Sequence, residues 1–124
     1  MKSAIVILSD PKSGSEEALG RVVNALAAAY DFKQKGDEVS ILFQAAGTRW
    51  PAELDKSGHP AHALYEAVKD KVAGVSCGCS DVFGARADAE KSGYDLLTEN
   101  AVPGTSGFPS LRRLTSEGYS ILTF

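Results

Sequence analysis

Two cysteines stand one residue apart in the run Gly74-Val75-Ser76-Cys77-Gly78-Cys79-Ser80-Asp81-Val82-Phe83-Gly84-Ala85, and the chain holds no other. A disulfide between them would close almost no loop and add little stability, which favours reactive or ligating thiols over a structural staple. A thiol acts as nucleophile or sulfur carrier only as the thiolate, and at the reference pKa of about 8.5 only a few per cent ionises at pH 7. A helix amino terminus offers an anion roughly 0.3–1 kcal/mol. The backbone N–H groups around Gly78, which has no Cβ to shield them, are expected to add to that. Asp81, a carboxylate about one turn away, works against an anion there, and Arg86 offsets it only by folding back.

Two other readings stand beside this one. Free cysteine is among the most buried residue types, so one or both thiols can be inert core residues. Cys77 and Cys79 with His59 and His62 also make up a possible zinc set. The C-x-C spacing is tighter than the gap of two to four residues in structural zinc sites, so neither metal nor cofactor is expected.

The elements that position the thiols follow from hydrophobic periodicity. Ala4 to Leu8 is an unbroken apolar run, the pattern of a strand buried on both faces in a parallel sheet. The loop from Ser9 to Ser15 lacks the spacing of a phosphate cradle. Ser15 can cap a helix carrying Glu16 and Glu17 at its positive end and Leu19, Val22, Val23, Leu26 and Tyr30 at helical spacing, with Gly36 ending it. Val39 to Phe43 reads as the second strand.

Gln44 to Pro60, with Gly47, Pro51, Gly58 and Pro60, cannot be one continuous helix and reads as a long connection leaving the same sheet rim as the cysteines. It carries Arg49, Trp50 and His59, which are expected either to wall the thiols or to belong to a surface insertion. Pro60 fits a first helical position, Ala61, Leu64, Tyr65, Val68 and Val72 continue the stripe, and Gly74 closes it. Val75 to Cys77 is then the third strand, and a third helix starts at Cys79, with Gly84 interrupting or ending it and a further turn over Asp88 to Ser92. Gly93 to Leu97 supplies a short fourth strand and Ala101 to Phe108 a glycine-rich loop. Pro109 opens a last helix with Leu111 and Leu114 inward, and Tyr119 to Phe124 is the final strand. Alternating strands and helices predict one three-layer α/β domain over residues 1–124, with ligands collecting where the strands end.

Composition narrows the function classes. A chain of 124 residues, 44% hydrophobic and 23% charged, is that of an ordinary globular domain without low-complexity tracts. A formal charge of -3, with Arg112-Arg113 the single arginine pair in sequence, gives no electrostatic footprint for nucleic acid. The apolar run after Met1-Lys2-Ser3 is too short for a signal peptide or a membrane span, so a cytoplasmic protein without membrane association is expected.

The pattern V-S-C-G-C-S-D-V-F-G-A after an apolar helix, with the ending E-G-Y-S-I-L-T-F, resembles the DsrE-like (DsrE/DsrF) family over nearly the whole chain. That resemblance implies a three-layer α/β/α domain with a mostly parallel five-stranded sheet and assembly as a homo-oligomer, trimer or hexamer. Some members pass persulfide sulfur through a cysteine after the third strand, and others have no known activity. Many relatives read C-G-x-C-x-x-x-R-G, where this chain reads Cys77-Gly78-Cys79 and then Asp81-Val82-Phe83-Gly84. It is one residue shorter, and Phe83 replaces the basic residue. Aligning on Gly84 matches Cys79 to the second cysteine of the pattern, and Cys77 to the first only across a deletion.

The expectation is therefore a sulfurtransferase-like carrier that takes sulfane sulfur on Cys79 or Cys77 and hands it to a partner thiol. Cys79, in the first helical turn, is expected to react first, with Cys77 at the strand end as resolving thiol. The alternative is a non-enzymatic module in which the crevice walled by Trp50 and the loop Ala101 to Phe108 holds a small ligand or a partner peptide.

Overall fold

The computed structural model describes residues 1–124. Its strands are β1 (Lys2–Ile7), β2 (Glu38–Phe43), β3 (Val72–Ser76), β4 (Leu96–Leu97) and β5 (Ser120–Thr123). They form one sheet in the order β4-β3-β2-β1-β5, and every pairing is parallel. The helices are α1 (Glu16–Gln34), α2 (Trp50–Leu54), α3 (His62–Val68), α4 (Cys77–Val82), α5 (Arg86–Ser92) and α6 (Leu111–Ser116).

One face of the sheet carries most of the core. Side chains alternate across a strand, so Ile5, Ile7, Ile41, Phe43 and Val75 point to one side. There they meet Val22, Ala25, Leu26 and Ala29 of α1 and Tyr65 and Val68 of α3 in a cluster of 17 buried residues. Small side chains along α1 bring its axis close to the sheet, and Ser15 Oγ accepts the Ala18 N–H (3.1 Å) to fix where the helix begins. On the opposite face Ala4 and Leu42 meet Leu114 of α6 in a cluster of only 3 buried residues. The third layer is thus one short helix and the segment leading to it.

Three sequence expectations change. Gly74 does not close a helix. α3 stops at Val68, a single 3-10 turn over Lys69–Lys71 follows, and Gly74 lies inside β3 with φ 157°. A Cβ at that position would stand 2.4 Å from the Asp95 carbonyl oxygen, so the strand needs a glycine for close approach rather than for a stop. The connection after β2 is also more regular than a loop. Ala45–Arg49 forms a 3-10 turn that runs directly into α2, with Pro51 in the first helical turn where a missing N–H costs nothing. Finally, Cys77 does not end a strand but opens α4.

Candidate dithiol site

The end of β3 delivers the chain to the sheet rim at Ser76, whose extended backbone turns into α4 and whose side chain caps it. Ser76 Oγ accepts the Cys79 N–H at 3.3 Å. Cys77, Gly78 and Cys79 therefore occupy the first three helical positions, and both thiols, not one, lie in the first turn. Both are unpaired and buried, Cys77 2% and Cys79 8% exposed. Ser80 Oγ donates to the Cys77 carbonyl at 2.7 Å, which tightens the same turn.

The amides of this turn are not open to an anion as the sequence led us to expect. The Gly78 N–H donates to the Gly107 carbonyl at 2.6 Å, and the Cys79 N–H is taken by the Ser76 cap. The absence of a Cβ at Gly78 serves a different purpose. An added methyl group would lie 2.9 Å from Phe108 Cε1 and 3.0 Å from the Gly107 oxygen, so Gly78 lets the segment Gly104–Phe108 lie flat on α4. Ser106 Oγ completes this clamp by donating to Asp81. Beside it lies a cavity of about 430 Å³ lined by Gly78, Asp81, Val82, Gly104, Thr105 and Ser106.

Asp81 is neutralised locally. Arg86 does fold back, and its Nη1 donates to both Asp81 carboxylate oxygens at 3.1 and 3.3 Å, while its Nε reaches Glu90. The Ser106 hydroxyl, and next the Arg86 guanidinium, hold the Asp81 carboxyl below its usual range. Arg86 is in turn held more firmly protonated, first by Asp81 and then by Glu90.

The structure does not bring all the expected wall residues to the thiols. Gly78 lines the cavity beside α4. Arg49 reaches the opposite end of α4, where its Nε donates to the Phe83 carbonyl (3.1 Å), its guanidinium stacks over the Phe83 ring, and its Nη1 pairs with Asp10. Trp50 is 2% exposed, and its indole N–H donates to the Ser9 carbonyl at 2.8 Å. Trp50 and His59 share a separate cleft of about 220 Å³ at the start of α1. His59 Nδ1 accepts the Ala61 N–H and His62 Nδ1 pairs with the Leu54 carbonyl, so these histidines do not converge with the cysteines.

A parallel five-stranded sheet with two free thiols in the first turn after β3 defines a small α/β thiol domain. The chain belongs to the DsrE/DsrF-like family, whose profile matches residues 1–124. It is similar to the uncharacterized protein MJ0733 of Methanocaldococcus jannaschii, with 29% identity over 102 residues, covering 82% of this chain and 78% of that one. No solved structure matches the chain. No helix is long and apolar enough to cross a membrane.

Proposed function

We propose that the chain is a sulfurtransferase-like carrier that accepts sulfane sulfur as a cysteine persulfide and relays it to a partner thiol. The observation that carries this reading is the pair of free cysteines in the first turn of α4, in a chain of the DsrE/DsrF-like family. In the first step the Cys79 thiolate attacks the outer sulfur of a donor persulfide. A sulfur–sulfur bond forms on Cys79, the donor's sulfur–sulfur bond breaks, and the donor leaves as a thiolate, with no net oxidation. An acceptor thiolate then attacks the outer sulfur on Cys79 and carries it away.

Cys79 is the entry thiol in this scheme because it is the more exposed of the two. Cys77, the more deeply buried, is the resolving thiol. Cys77 and Cys79 stand two positions apart on α4 and point to different sides, so attack of Cys77 on the inner sulfur of the Cys79 persulfide, which would release hydrosulfide and leave a Cys77–Cys79 disulfide, requires the first turn of α4 to unwind. Both sulfurs are buried, so sulfur transfer requires a local movement that exposes them, for which the segment Gly104–Phe108 against Gly78 is the candidate. The reading further assigns the chain to the cytoplasm, where free thiols stay reduced. Its partners are a sulfur-donor or acceptor protein and further copies of itself in a trimer or hexamer.

The test is intact-mass spectrometry of the full chain after treatment with a small persulfide donor. The expected result is a gain of one sulfur atom on the native protein and on Cys77→Ser, and none on Cys79→Ser. Gain on Cys79→Ser with none on Cys77→Ser would reverse the two roles. A native chain that stays unmodified, with thiols that label only after denaturation, would remove the sulfur-carrier reading altogether.

A further inference from the structure

The chain has two histidines, His59 in the link from α2 to α3 and His62 at the start of α3, and they use the same ring nitrogen in opposite senses. His62 Nδ1 lies 2.7 Å from the Leu54 carbonyl oxygen. A carbonyl only accepts, so this nitrogen carries a proton, and the contact survives when the ring gains a second one. His59 Nδ1 instead accepts the Ala61 N–H at 3.1 Å. That nitrogen is unprotonated, and its contact exists only while the ring is neutral.

The His59 bond fixes where α3 begins. Ala61 is 2% exposed and stands immediately before the helix, which no side chain of Ala61 can cap, and Pro60 between the two has no N–H to offer. A second proton on the ring would set one N–H against another and leave the Ala61 donor unpaired in the core. The same ring stands edge-on to Trp50, with 6.0 Å between centroids and 83° between planes. Trp50, His59 and Pro60 line the cleft of about 220 Å³ together with Ser15 and Leu19 at the start of α1. The one charged side chain lining that cleft is Glu53 of α2, whose carboxylate takes Lys56 Nζ at 3.1 Å, and the α1 side brings no charge to it.

We propose that His59 is a pH-operated latch on this cleft. With the ring neutral, it holds the Ala61 N–H, the start of α3 is fixed and the cleft stays narrow. With the ring protonated, it lets Ala61 go and turns to the Glu53 carboxylate in place of Lys56, which frees the link from Lys56 to Ala61 and widens the cleft beside Trp50. Histidine is the side chain whose charge changes between about pH 5 and 8, so one proton in the physiological range selects between the two positions. His62 keeps its hold on Leu54 in both, and anchors α3 to α2 while the link moves. The latch is independent of the sulfur-carrier reading, since neither histidine meets the thiols.

The experiment is a pH series from about pH 8 to pH 5 on the isotope-labelled full chain, reading the His59 ring resonances, the Ala61 amide and the emission of Trp50, the one tryptophan. The expected result is that all three change through a single transition. Across it, exchange of the Ala61 amide, corrected for its intrinsic pH dependence, should accelerate about tenfold, while that of Val22 in α1 holds still. His59→Asn keeps a side-chain acceptor two residues before Ala61 but one that does not titrate, so the folded variant should retain the bond and lose the transition. His62→Gln should leave the transition in place, and Glu53→Gln, which withdraws the partner of the imidazolium, should move it to lower pH. The proposal is overturned if the His59 ring titrates while the Ala61 amide and Trp50 emission stay constant, or if the ring does not titrate in this range. Persistence of the transition in folded His59→Asn, or its loss in His62→Gln, would equally overturn it, and an unchanged midpoint in Glu53→Gln would overturn the second position of the latch.

Discussion

The two faces of the sheet are built to different standards. Beneath α1 and α3 lies a cluster of 17 buried residues, whereas beneath α6 lie three, and the second cover consists of a six-residue helix and the extended segment before it. Stability is concentrated on the first face; a cavity at Gln44, Leu111 and Arg112 lies beside the second, and the dithiol turn with its Gly104–Phe108 clamp stands at the sheet rim. The largest effect that tests this contrast is a pair of core truncations. Leu26→Ala empties a fully buried site in the thick layer and should cost about 4 kcal/mol, whereas Leu114→Ala, at the thin layer, should cost about 2 kcal/mol. Urea midpoints at unchanged slope measure both. Equal losses would mean that the two faces carry the fold alike.

The next effect is at the junction of the layers. Gly78→Ala drives a methyl group into the Phe108 ring and the Gly107 carbonyl, and the hydrogen bond between Gly78 and Gly107 must stretch. Overpacking of this kind costs about 1–3 kcal/mol. Because the clamp rather than the core is what shifts, the variant should also label its thiols faster with a small alkylating agent while the protein is still folded. Loss of stability without faster labelling would show that the clamp is not what covers the sulfurs.

The thick face was the legible one. Ser15, the acidic pair after it and the spacing of Val22, Leu26 and Ala29 specify α1 locally, and the apolar run before it needs both faces covered. Gly74 was misread because a glycine after an apolar helical stripe has the form of a stop signal, while its real constraint comes from the Asp95 carbonyl in the lead-in to β4. The turn and helix after β2 were hidden by their glycine and prolines, which count against a helix by propensity although Pro51 sits where a helix accepts it. At the site, residue type alone marked Cys77, Gly78 and Cys79. Ser76 could have been found as well, since a serine three residues before Cys79 has the spacing of a helix cap. The clamp from Ser106 to Phe108 was out of reach, because it is defined by contacts between segments far apart in the chain.

Ser76→Ala sharpens the comparison from the dithiol side. It removes the cap of α4 and leaves the Cys79 N–H buried without a partner. Caps of this type contribute about 1 kcal/mol. The loss should be less than that from Leu26→Ala and fall on the first turn of α4, so amide exchange should accelerate from Cys77 to Ser80 and stay unchanged in α1. Acceleration throughout the chain in proportion to global stability would argue that this turn unfolds only with the whole.

The smallest effect is a pH dependence confined to the clamp. The Asp81 carboxyl is held below its ordinary value, first by the Ser106 hydroxyl and then by Arg86, so the folded chain binds this proton less readily than the unfolded one. A group lowered in this way contributes its stabilisation in full above its unfolded pKa, about 3.9, and loses it as the pH falls through the folded value. The clamp should therefore be intact at neutral pH and release below about pH 4, with the Asp81 contact to Ser106 failing before the Gly78–Gly107 hydrogen bond, which carries no titrating group. Asp81 and Arg86 are exposed, so salt should weaken their pairing as well. The amide resonances of Ser106 and Gly107, followed from pH 6 to pH 3, report this directly. A transition there that Asp81→Asn abolishes would assign the acid response to the clamp. An unchanged transition in that variant would assign it to another carboxylate, such as Glu99, whose carboxyl Arg113 likewise holds down at the start of the same segment.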